Sequence, residues 1–162
     1  MSFFFKPINV AYATQIVHWR YNAPYDVYNS VSNPSEIEKA IQSYLDPQNG
    51  YYCLIDAHDE LVAFCCFGED AQVPGGDYTN TALDIGLGVR PGLTGQGQGQ
   101  RYIADVVNFA QSTFHSTIFR VTVAAFNERA LRAWKKAGFQ QIQTFPARAD
   151  GRLFIILIKH TS

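Results

Sequence analysis

Three glycines at alternate positions, Gly95, Gly97 and Gly99, separate a segment with strand periodicity from one with helical periodicity. Residues 81–89 alternate apolar side chains with others, and within 102–110 apolar residues recur at intervals of three and four. A chain with this junction must place a strand and a helix consecutively, with a tight turn between them. Backbone N–H groups in such a turn lie at the positive end of the helix dipole. The sequence therefore predicts an anion-binding turn, best suited to phosphate.

Two well-known phosphate-binding loops do not match this turn. A dinucleotide fingerprint G-x-G-x-x-G read from Gly97 would need glycine at position 102, where the chain has Tyr102. A P-loop would need lysine directly after Gly97, where the chain has Gln98. A nucleotide-binding regulatory domain is therefore disfavoured. A turn without any ligand is the alternative interpretation, since glycines also allow tight turns.

The rest of the chain divides into strands and helices without repeats, linkers or low-complexity segments. The predicted strands are residues 3–8, 51–55, 61–67, 81–89, 119–125, 139–145 and 153–159. The predicted helices are residues 10 to about 20, a helix that opens within 33–36 and carries apolar residues at 37, 41 and 45, a helix that includes 102–110, and one from the Asn127 cap to Gly138. The order β-α-α-β-β-β-α-β-α-β-β predicts a mixed α/β fold in one domain over residues 1–162.

The charge balance excludes several classes of protein. The chain has 13 Lys and Arg residues against 14 Asp and Glu residues, a formal net charge of -1, so it lacks the broad basic surface typical of nucleic-acid and membrane-surface proteins; a small local basic patch is the alternative that stays open. Aromatic residues make up 14% of the chain, which excludes a disordered chain. No apolar run approaches the ~18 residues of a membrane span. We therefore expect no nucleic-acid partner and no membrane partner.

The cysteines and histidines give no sign of a metal site. The four histidines lack metal-ligand spacing, and the adjacent Cys65 and Cys66 point to opposite faces of a predicted strand. That placement suits neither a disulfide framework nor a zinc knuckle, so with Cys53 they are interpreted as buried thiols in a reducing compartment. The first residues lack the basic region and cleavage site of a signal peptide. We expect a cytoplasmic protein without a bound metal.

Two segments of the chain together match a known pattern. The first, residues 83–103, is a strand, the Gly-rich turn and a helix start, and reads LDIGLGVRPGLTGQGQGQRYI. The second, residues 121–139, is a strand and an Asn-headed helix ending in Gly-Phe, and reads VTVAAFNERALRAWKKAGF. In this order they resemble the GNAT superfamily of N-acetyltransferases. The resemblance implies a central, mostly antiparallel mixed seven-stranded sheet with helices on both faces, and an acetyl-CoA-dependent N-acetyltransferase.

The resemblance implies that acetyl-CoA binds to the Gly-rich turn and to the strand before it. The family's pyrophosphate pattern, Gln/Arg-x-x-Gly-x-Gly/Ala, falls on Thr94, Gly97 and Gly99, and Thr94 departs from the Gln/Arg position. The backbone N–H groups implied in pyrophosphate binding are those of Gly95, Gln96, Gly97, Gln98, Gly99 and Gln100. One N–H group of the strand end would polarise the thioester carbonyl, from Leu87, Gly88 or Val89.

Two residues of the second segment are also implied in cofactor binding. Asn127 matches the Asn whose side chain contacts the pantetheine arm; a plain helix N-cap is the alternative, and the two roles are compatible. Trp134 stands at the position of the family's Tyr, whose hydroxyl can protonate the leaving thiolate. An indole N–H donates a hydrogen bond but is not an acid near neutral pH. Trp134 would therefore hydrogen-bond the sulfur or only pack against the pantetheine arm.

Asp84 is the candidate general base, acting through water. By strand parity its side chain shares a face with Gly86 and Gly88, where the lack of side chains would leave room for a ligand. A base is needed because only an unprotonated amine attacks the thioester. The alternative is a carboxylate hydrogen-bonded within the sheet.

An aromatic segment between the first two predicted helices is the candidate acceptor site. In the family this region borders the acceptor, and here it offers Tyr21, Tyr25, Asp26 and Tyr28. Phenol rings and a carboxylate would suit a cationic amine. The alternative is a surface loop whose rings pack on the core.

The function predicted from these residues is transfer of an acetyl group from acetyl-CoA to a primary amine of a small molecule or peptide, by a monomer or a homodimer. The second hypothesis is a catalytically idle module of the same fold that binds or senses acyl-CoA. The departure at Trp134 keeps that second hypothesis open.

Overall fold

Strands and helices follow one another in the predicted order. The structure, a computed structural model, describes residues 3–30 and 32–161; residue 31, in the segment predicted as a loop, lies outside them. The described strands are β1 (Phe4–Pro7), β2 (Tyr51–Ile55), β3 (Leu61–Phe67), β4 (Leu83–Val89), β5 (Ile118–Ala124), β6 (Gln140–Pro146) and β7 (Leu153–His160). The described α-helices are α1 (Val10–Val17), α2 (Pro34–Leu45), α3 (Gly99–Phe114) and α4 (Glu128–Lys136).

Helices α2 and α4 begin where the sequence predicts. The side chain of Asn33 accepts a hydrogen bond from the Ser35 N–H, and that of Asn127 accepts one from the Ala130 N–H. Each cap satisfies an N–H group that the first turn of a helix leaves unpaired. After α4, Gly138 has a φ of +99°, which other residues rarely adopt, so the helix ends there.

Helix α1 is shorter than predicted. It ends at Val17 rather than near residue 20. The guanidinium of Arg20 donates to the carbonyl oxygens of Val17, at 3.1 Å, and Trp19, at 2.8 Å, so side-chain bonds replace the helical ones. The helix α3 has 16 residues. Among the described residues, no helix combines the length and the apolar character needed to cross a membrane.

The seven strands form one mixed sheet in the order β1-β2-β3-β4-β5-β7-β6. The pairs β1/β2, β2/β3, β5/β7 and β6/β7 are antiparallel, whereas β4 and β5 are parallel. In that parallel register Asp84 lies opposite Arg120. The predicted seven-stranded mixed sheet is confirmed, and its register places an acidic and a basic residue side by side.

The described residues divide into two compact units. The first contains the described residues of Met1–Cys66 together with Leu87–Thr94, and the second those of Phe67–Gly86 together with Gly95–Ser162. Strand β4 contributes to both, because the division falls between Gly86 and Leu87.

Apolar side chains are buried in both units. In the first, Ala13 and Val17 of α1 pack with Ile41 of α2. In the second, one face of α3 is buried, as its apolar spacing predicts; it consists of Tyr102, Ile103, Val106, Val107 and Ala110.

The three cysteines are buried thiols, as predicted. Cys53 and Cys65 are fully buried and Cys66 is nearly so. Burial raises the pKa of Cys53 to about 12, and burial is also the main cause that raises the pKa of Cys65 well above its usual range. A thiol reacts through its thiolate, so these side chains are protected by both burial and protonation.

We therefore expect the native protein to react with a thiol reagent such as Ellman's reagent at pH 8 far more slowly than glutathione does under the same conditions. After unfolding in denaturant, all three thiols should react at the rate of glutathione. Rapid labelling of one thiol per chain in the native protein, with circular dichroism unchanged, would contradict this expectation.

Candidate functional site

The Gly-rich turn exposes its backbone. Gly95 and Gly97 have φ values of +71° and +74°, the left-handed region that favours glycine. Both are exposed, and a Cβ added to Gly97 would meet nothing within 4 Å. Helix α3 begins two residues later, at Gly99. The turn is therefore an open loop at a helix N-terminus, as the sequence predicts.

The guanidinium of Arg129 lies beside the turn. A Cβ added to Gly95 would come within 2.8 Å of Arg129 Nη1, so the missing side chain makes room for the cation. Arg129 belongs to the first turn of α4, two residues after the Asn127 cap. Arg129 carries no signal in the sequence as a site residue, because only the packing of α4 against the turn brings the two together.

The start of α3 packs closely on α4. The Gln100 side-chain amide donates to the carbonyl oxygen of Ala133 at 2.9 Å. A Cβ added to Gly99 would be 3.4 Å from the Ala133 Cβ, which is ordinary van der Waals contact. The turn is thus held in place by α4, with its backbone towards solvent.

Two predicted cofactor residues of α4 have structural roles. Asn127 is the N-cap of the helix, and its predicted contact with a pantetheine arm stays a prediction. Trp134 is buried, and its ring packs edge-on against Phe139 with centroids 4.9 Å apart. The indole is therefore part of the core between α4 and the chain that follows it.

The face of β4 that carries Gly86 and Gly88 was expected to leave room for a ligand, but it is covered at Gly88. A Cβ on Gly88 would overlap the ring of Phe64, so the predicted free space at Gly88 is wrong. Phe64 belongs to an aromatic cluster in which its centroid lies 5.9 Å from that of Trp19 and 6.0 Å from those of Tyr44 and Tyr51. Gly88 is needed because it makes room for this ring.

Asp84 is paired with a cation inside the sheet. Its side chain is 4% exposed, and its two carboxylate oxygens accept hydrogen bonds from Nε and Nη2 of Arg120 at 2.7 and 2.8 Å. The amide of Gln72 adds a third bond at 2.8 Å. Arg120 also donates to the carbonyl oxygen of Asn80 at 2.8 Å, and its guanidinium lies 5.0 Å from the centroid of the Tyr78 ring.

This network is the arrangement expected of a carboxylate bound within the sheet. The hydrogen bonds and charge of Asp84 raise the pKa of Arg120 above its usual value, so Arg120 keeps its positive charge beside the carboxylate. Both carboxylate oxygens of Asp84 accept hydrogen bonds from this guanidinium, and the side chain is almost fully buried. The geometry favours the structural interpretation of Asp84, and its role as general base stays a prediction.

The predicted acceptor segment is tied to β4 by one of its tyrosines. The Tyr21 hydroxyl donates to the carbonyl oxygen of Val89 at 2.7 Å, and its ring meets Tyr28 edge-on at 6.3 Å. Burial, with smaller contributions from Tyr44 and Tyr28, raises the pKa of Tyr21 to about 12. Residues Tyr25–Tyr28 form one turn of 3-10 helix, in which Asp26 and Tyr28 are exposed.

The profile of the acetyltransferase (GNAT) family matches residues 14–139, which is most of the chain. This chain belongs to the GNAT acetyltransferase family. The match includes the Gly-rich turn, the Asn-headed helix and the aromatic segment, so the resemblance stated from the sequence is confirmed.

Solved structures share the fold of this GNAT acetyltransferase at low sequence identity. A chimera of the spermidine N-acetyltransferase SpeG from Vibrio cholerae and hSSAT has a TM-score of 0.76 at 13% identity, covering 99% of this chain and 96% of that one. SpeG from Vibrio cholerae in complex with CoA and spermine has a TM-score of 0.74 at 12% identity, with the same coverage. A GNAT-family acetyltransferase from Bacillus anthracis has a TM-score of 0.73 at 13% identity, covering 99% and 95%. No curated protein matches the chain in sequence.

This GNAT acetyltransferase departs from the family's pattern at Thr94 and Trp134. The Thr94 hydroxyl donates to the carbonyl oxygen of Pro91 at 2.9 Å, so it stabilises the short 3-10 turn Pro91–Leu93. Threonine at the family's Gln/Arg position supplies no cation, but the guanidinium of Arg129 lies beside the turn.

We expect Trp134→Phe to keep substantial turnover. Phenylalanine retains an aromatic contact with Phe139 and removes the indole N–H, while the smaller ring lowers stability by about 1–3 kcal/mol. The measurements are the steady-state rate of acetyl transfer, at a temperature well below the melting temperature of the variant, and the affinity for acetyl-CoA. A loss to background, with fold and affinity intact, would show that the indole N–H is essential.

Proposed function

We propose that this GNAT acetyltransferase transfers the acetyl group of acetyl-CoA to a primary amine of a small molecule or a peptide. The observation that supports it most directly is the open turn Gly95–Gly97 at the start of α3, with the Arg129 guanidinium beside it. Backbone N–H groups, a helix dipole and a cation together favour a pyrophosphate. The similarity to SpeG in complex with CoA and spermine adds support for an acyl-CoA donor and an amine acceptor.

The residues proposed to bind acetyl-CoA have separate tasks. The backbone N–H groups of 95–100 and the Arg129 side chain are proposed to bind the pyrophosphate, and Asn127 and Trp134 to contact the pantetheine arm. An N–H group of Leu87, Gly88 or Val89 donates to the thioester carbonyl, where negative charge develops in the transition state. Thr94 stabilises the start of the turn, because its hydroxyl donates to the carbonyl oxygen of Pro91, and it adds no positive charge for binding the pyrophosphate.

The reaction is a direct acyl transfer. The unprotonated amine nitrogen forms a bond to the carbonyl carbon, the bond from that carbon to sulfur breaks, and CoA leaves as a thiolate. The amine proton passes to a base, for which Asp84 acting through water is the proposed group, with bulk water as the competing acceptor. Tyr21 is a poor acid for the thiolate, since its pKa is about 12 and its proton is donated to Val89. We therefore assign protonation of the thiolate to solvent.

The acceptor amine is proposed to bind at the aromatic segment. Tyr25, Asp26 and Tyr28 lie in one 3-10 turn, and phenol faces with a nearby carboxylate favour a cation. The three buried thiols are typical of a reducing compartment, so we expect the reaction in the cytoplasm.

The test is release of free thiol from acetyl-CoA with a panel of amines: polyamines, aminoglycosides, amino acids and peptides with free N-termini. We expect at least one amine to release thiol above the rate with acetyl-CoA alone, with one acetyl group gained by the amine in mass spectrometry. The buried cysteines suit this assay, because the enzyme itself would consume little reagent.

The idle acyl-CoA-binding module is the second candidate, favoured by the indole at position 134. It would be supported by calorimetric binding of acetyl-CoA without turnover of any amine in the panel. Absence of both binding and turnover would overturn the two hypotheses together.

A further inference from the structure

The acceptor segment is closed on itself by one side chain. The Tyr21 N–H donates to Asn29 Oδ1 at 2.6 Å, and Asn29 Nδ2 donates to the Tyr21 carbonyl oxygen at 3.3 Å. The Asn29 amide thus pairs with both backbone groups of a residue eight positions earlier, as a neighbouring strand would. Residues 21–29 therefore form a loop whose ends are joined.

Tyr21 also attaches this loop to the sheet. The Tyr21 hydroxyl reaches Val89, 68 positions along the chain, at the end of β4. Tyr21 is half-buried, and its ring meets Tyr28 on the far side of the loop. The side chain and backbone of Tyr21 thus hold three points together: both ends of the loop and the last residue of β4.

We propose that Tyr21 and Asn29 form a clamp that fixes the loop 21–29 against the Val89 end of β4, so that Tyr21 is a positioning residue for the acceptor amine. This inference rests on the proposed function, because it takes the loop to be the acceptor site. The hydroxyl of Tyr21 is engaged by Val89 and does not bind the substrate. The amine instead meets the 3-10 turn Tyr25–Tyr28, whose position the clamp sets.

The closeness of the clamp to β4 gives it a specific effect. Val89 is the last residue of β4, so the clamp fixes the loop, and with it the bound amine, beside the strand end through a single hydrogen bond. Loss of one such bond weakens acceptor binding about fivefold to tenfold when the loop must be ordered by the substrate itself. The Tyr21 hydroxyl bonds the carbonyl oxygen of Val89 and not its N–H group, so the N–H groups proposed to hold the thioester are retained and acetyl-CoA binding should not respond.

The first experiment is steady-state kinetics of Tyr21→Phe, which keeps the ring and removes the hydroxyl. We expect the KM for the amine to rise about fivefold to tenfold, with kcat and the KM for acetyl-CoA within twofold of wild type. Tyr12→Phe is the matched control, since it removes a phenol hydroxyl from α1 in the same unit, and it should change none of these values. An unchanged KM for the amine would overturn the proposal. So would a similar impairment of kcat and of both KM values.

Substitution of Asn29 separates the two backbone bonds. Asn29→Asp keeps the oxygen that accepts from the Tyr21 N–H and loses the amide donor, so we expect a smaller rise in the KM for the amine than with Asn29→Ala. Because both bonds act through one loop, the double variant Tyr21→Phe/Asn29→Ala should raise the KM by less than the product of the two single effects. Equal effects of Asn29→Asp and Asn29→Ala, or simple multiplication in the double variant, would show that the residues do not act as one clamp.

Hydrogen exchange of the Tyr21 amide tests the clamp without any substrate. We expect this amide to be protected in wild type and to exchange at least tenfold faster in Asn29→Ala, while amides of β2 and β3 are unaffected. If wild type acetylates no amine, the proposed function fails and the acceptor role of the clamp fails with it, while protection of Tyr21 still measures the clamp. If amines are acetylated but the exchange rate of Tyr21 is unchanged in Asn29→Ala, the clamp fails and the proposed function stands.

Discussion

Arg120→Met is expected to lower the free energy of unfolding by about 3–5 kcal/mol, because it leaves the buried Asp84 carboxylate without its cation. Both side chains of the pair are almost fully buried, at 3% and 4% exposure, so water cannot replace the lost charge. The measurement is urea denaturation at neutral pH. The double variant Asp84→Leu/Arg120→Met, which removes both charges, should recover most of the loss. A destabilisation below 1 kcal/mol in the single variant would show that the pair is not a buried ionic contact.

The same pair decides between the two interpretations of Asp84. Asp84→Asn and Arg120→Lys both weaken the bidentate contact, but only the first removes the carboxylate. If Asp84 is the general base, Asp84→Asn lowers kcat by about 10²–10⁴-fold beyond any effect of Arg120→Lys, with acetyl-CoA affinity nearly unchanged. Rates are compared at a temperature where both variants are folded. Equal rates in the two variants would leave Asp84 with a structural role alone.

Gly97→Val should weaken acetyl-CoA binding by at least tenfold. The φ of +74° at Gly97 costs a branched residue at least 1–2 kcal/mol, and the new side chain would stand where a phosphate approaches the backbone. Calorimetry gives the affinity. Gly92→Val is the matched control, because Gly92 also has open space around a Cβ but does not have a left-handed φ.

The Gly92 variant should bind acetyl-CoA as wild type does. Unchanged affinity in Gly97→Val, with the fold intact by circular dichroism, would mean that the turn is not the pyrophosphate site. A parallel loss in both variants would point to a general effect of valine near β4 and not to the geometry of the turn.

Local features of the fold could be predicted from the sequence because they depend on neighbouring residues. The cap at Asn127 needs only the side chain and the next few N–H groups, and the end of α4 needs only the glycine at 138. The turn between β4 and α3 likewise depends on the glycines within it, which permit the left-handed φ values found at Gly95 and Gly97. Such signals are short-range, so strand and helix order could be predicted together with the open turn.

Long-range contacts of the candidate site could not be predicted. Strand parity placed Asp84 on a face of β4, but its partner Arg120 lies 36 positions away and is found only through the register of β4 with β5. Strand parity also predicted free space at Gly88. Nothing in the sequence shows that the ring of Phe64 covers this position. Arg129 reaches Gly95 only through the packing of α4 on the turn. These contacts depend on which elements become neighbours, and periodicity does not contain that information.

The overlap between a Cβ at position 88 and the ring of Phe64 couples two positions that lie 24 residues apart in the sequence. A methyl group at 88 and the phenyl ring at 64 in its present position exclude each other, so a Gly88→Ala substitution requires the Phe64 ring to shift or to be replaced by a smaller side chain. Random mutagenesis should therefore recover Gly88→Ala together with a smaller residue at 64 and rarely alone. In an alignment of related chains, the pair should appear as a covarying one.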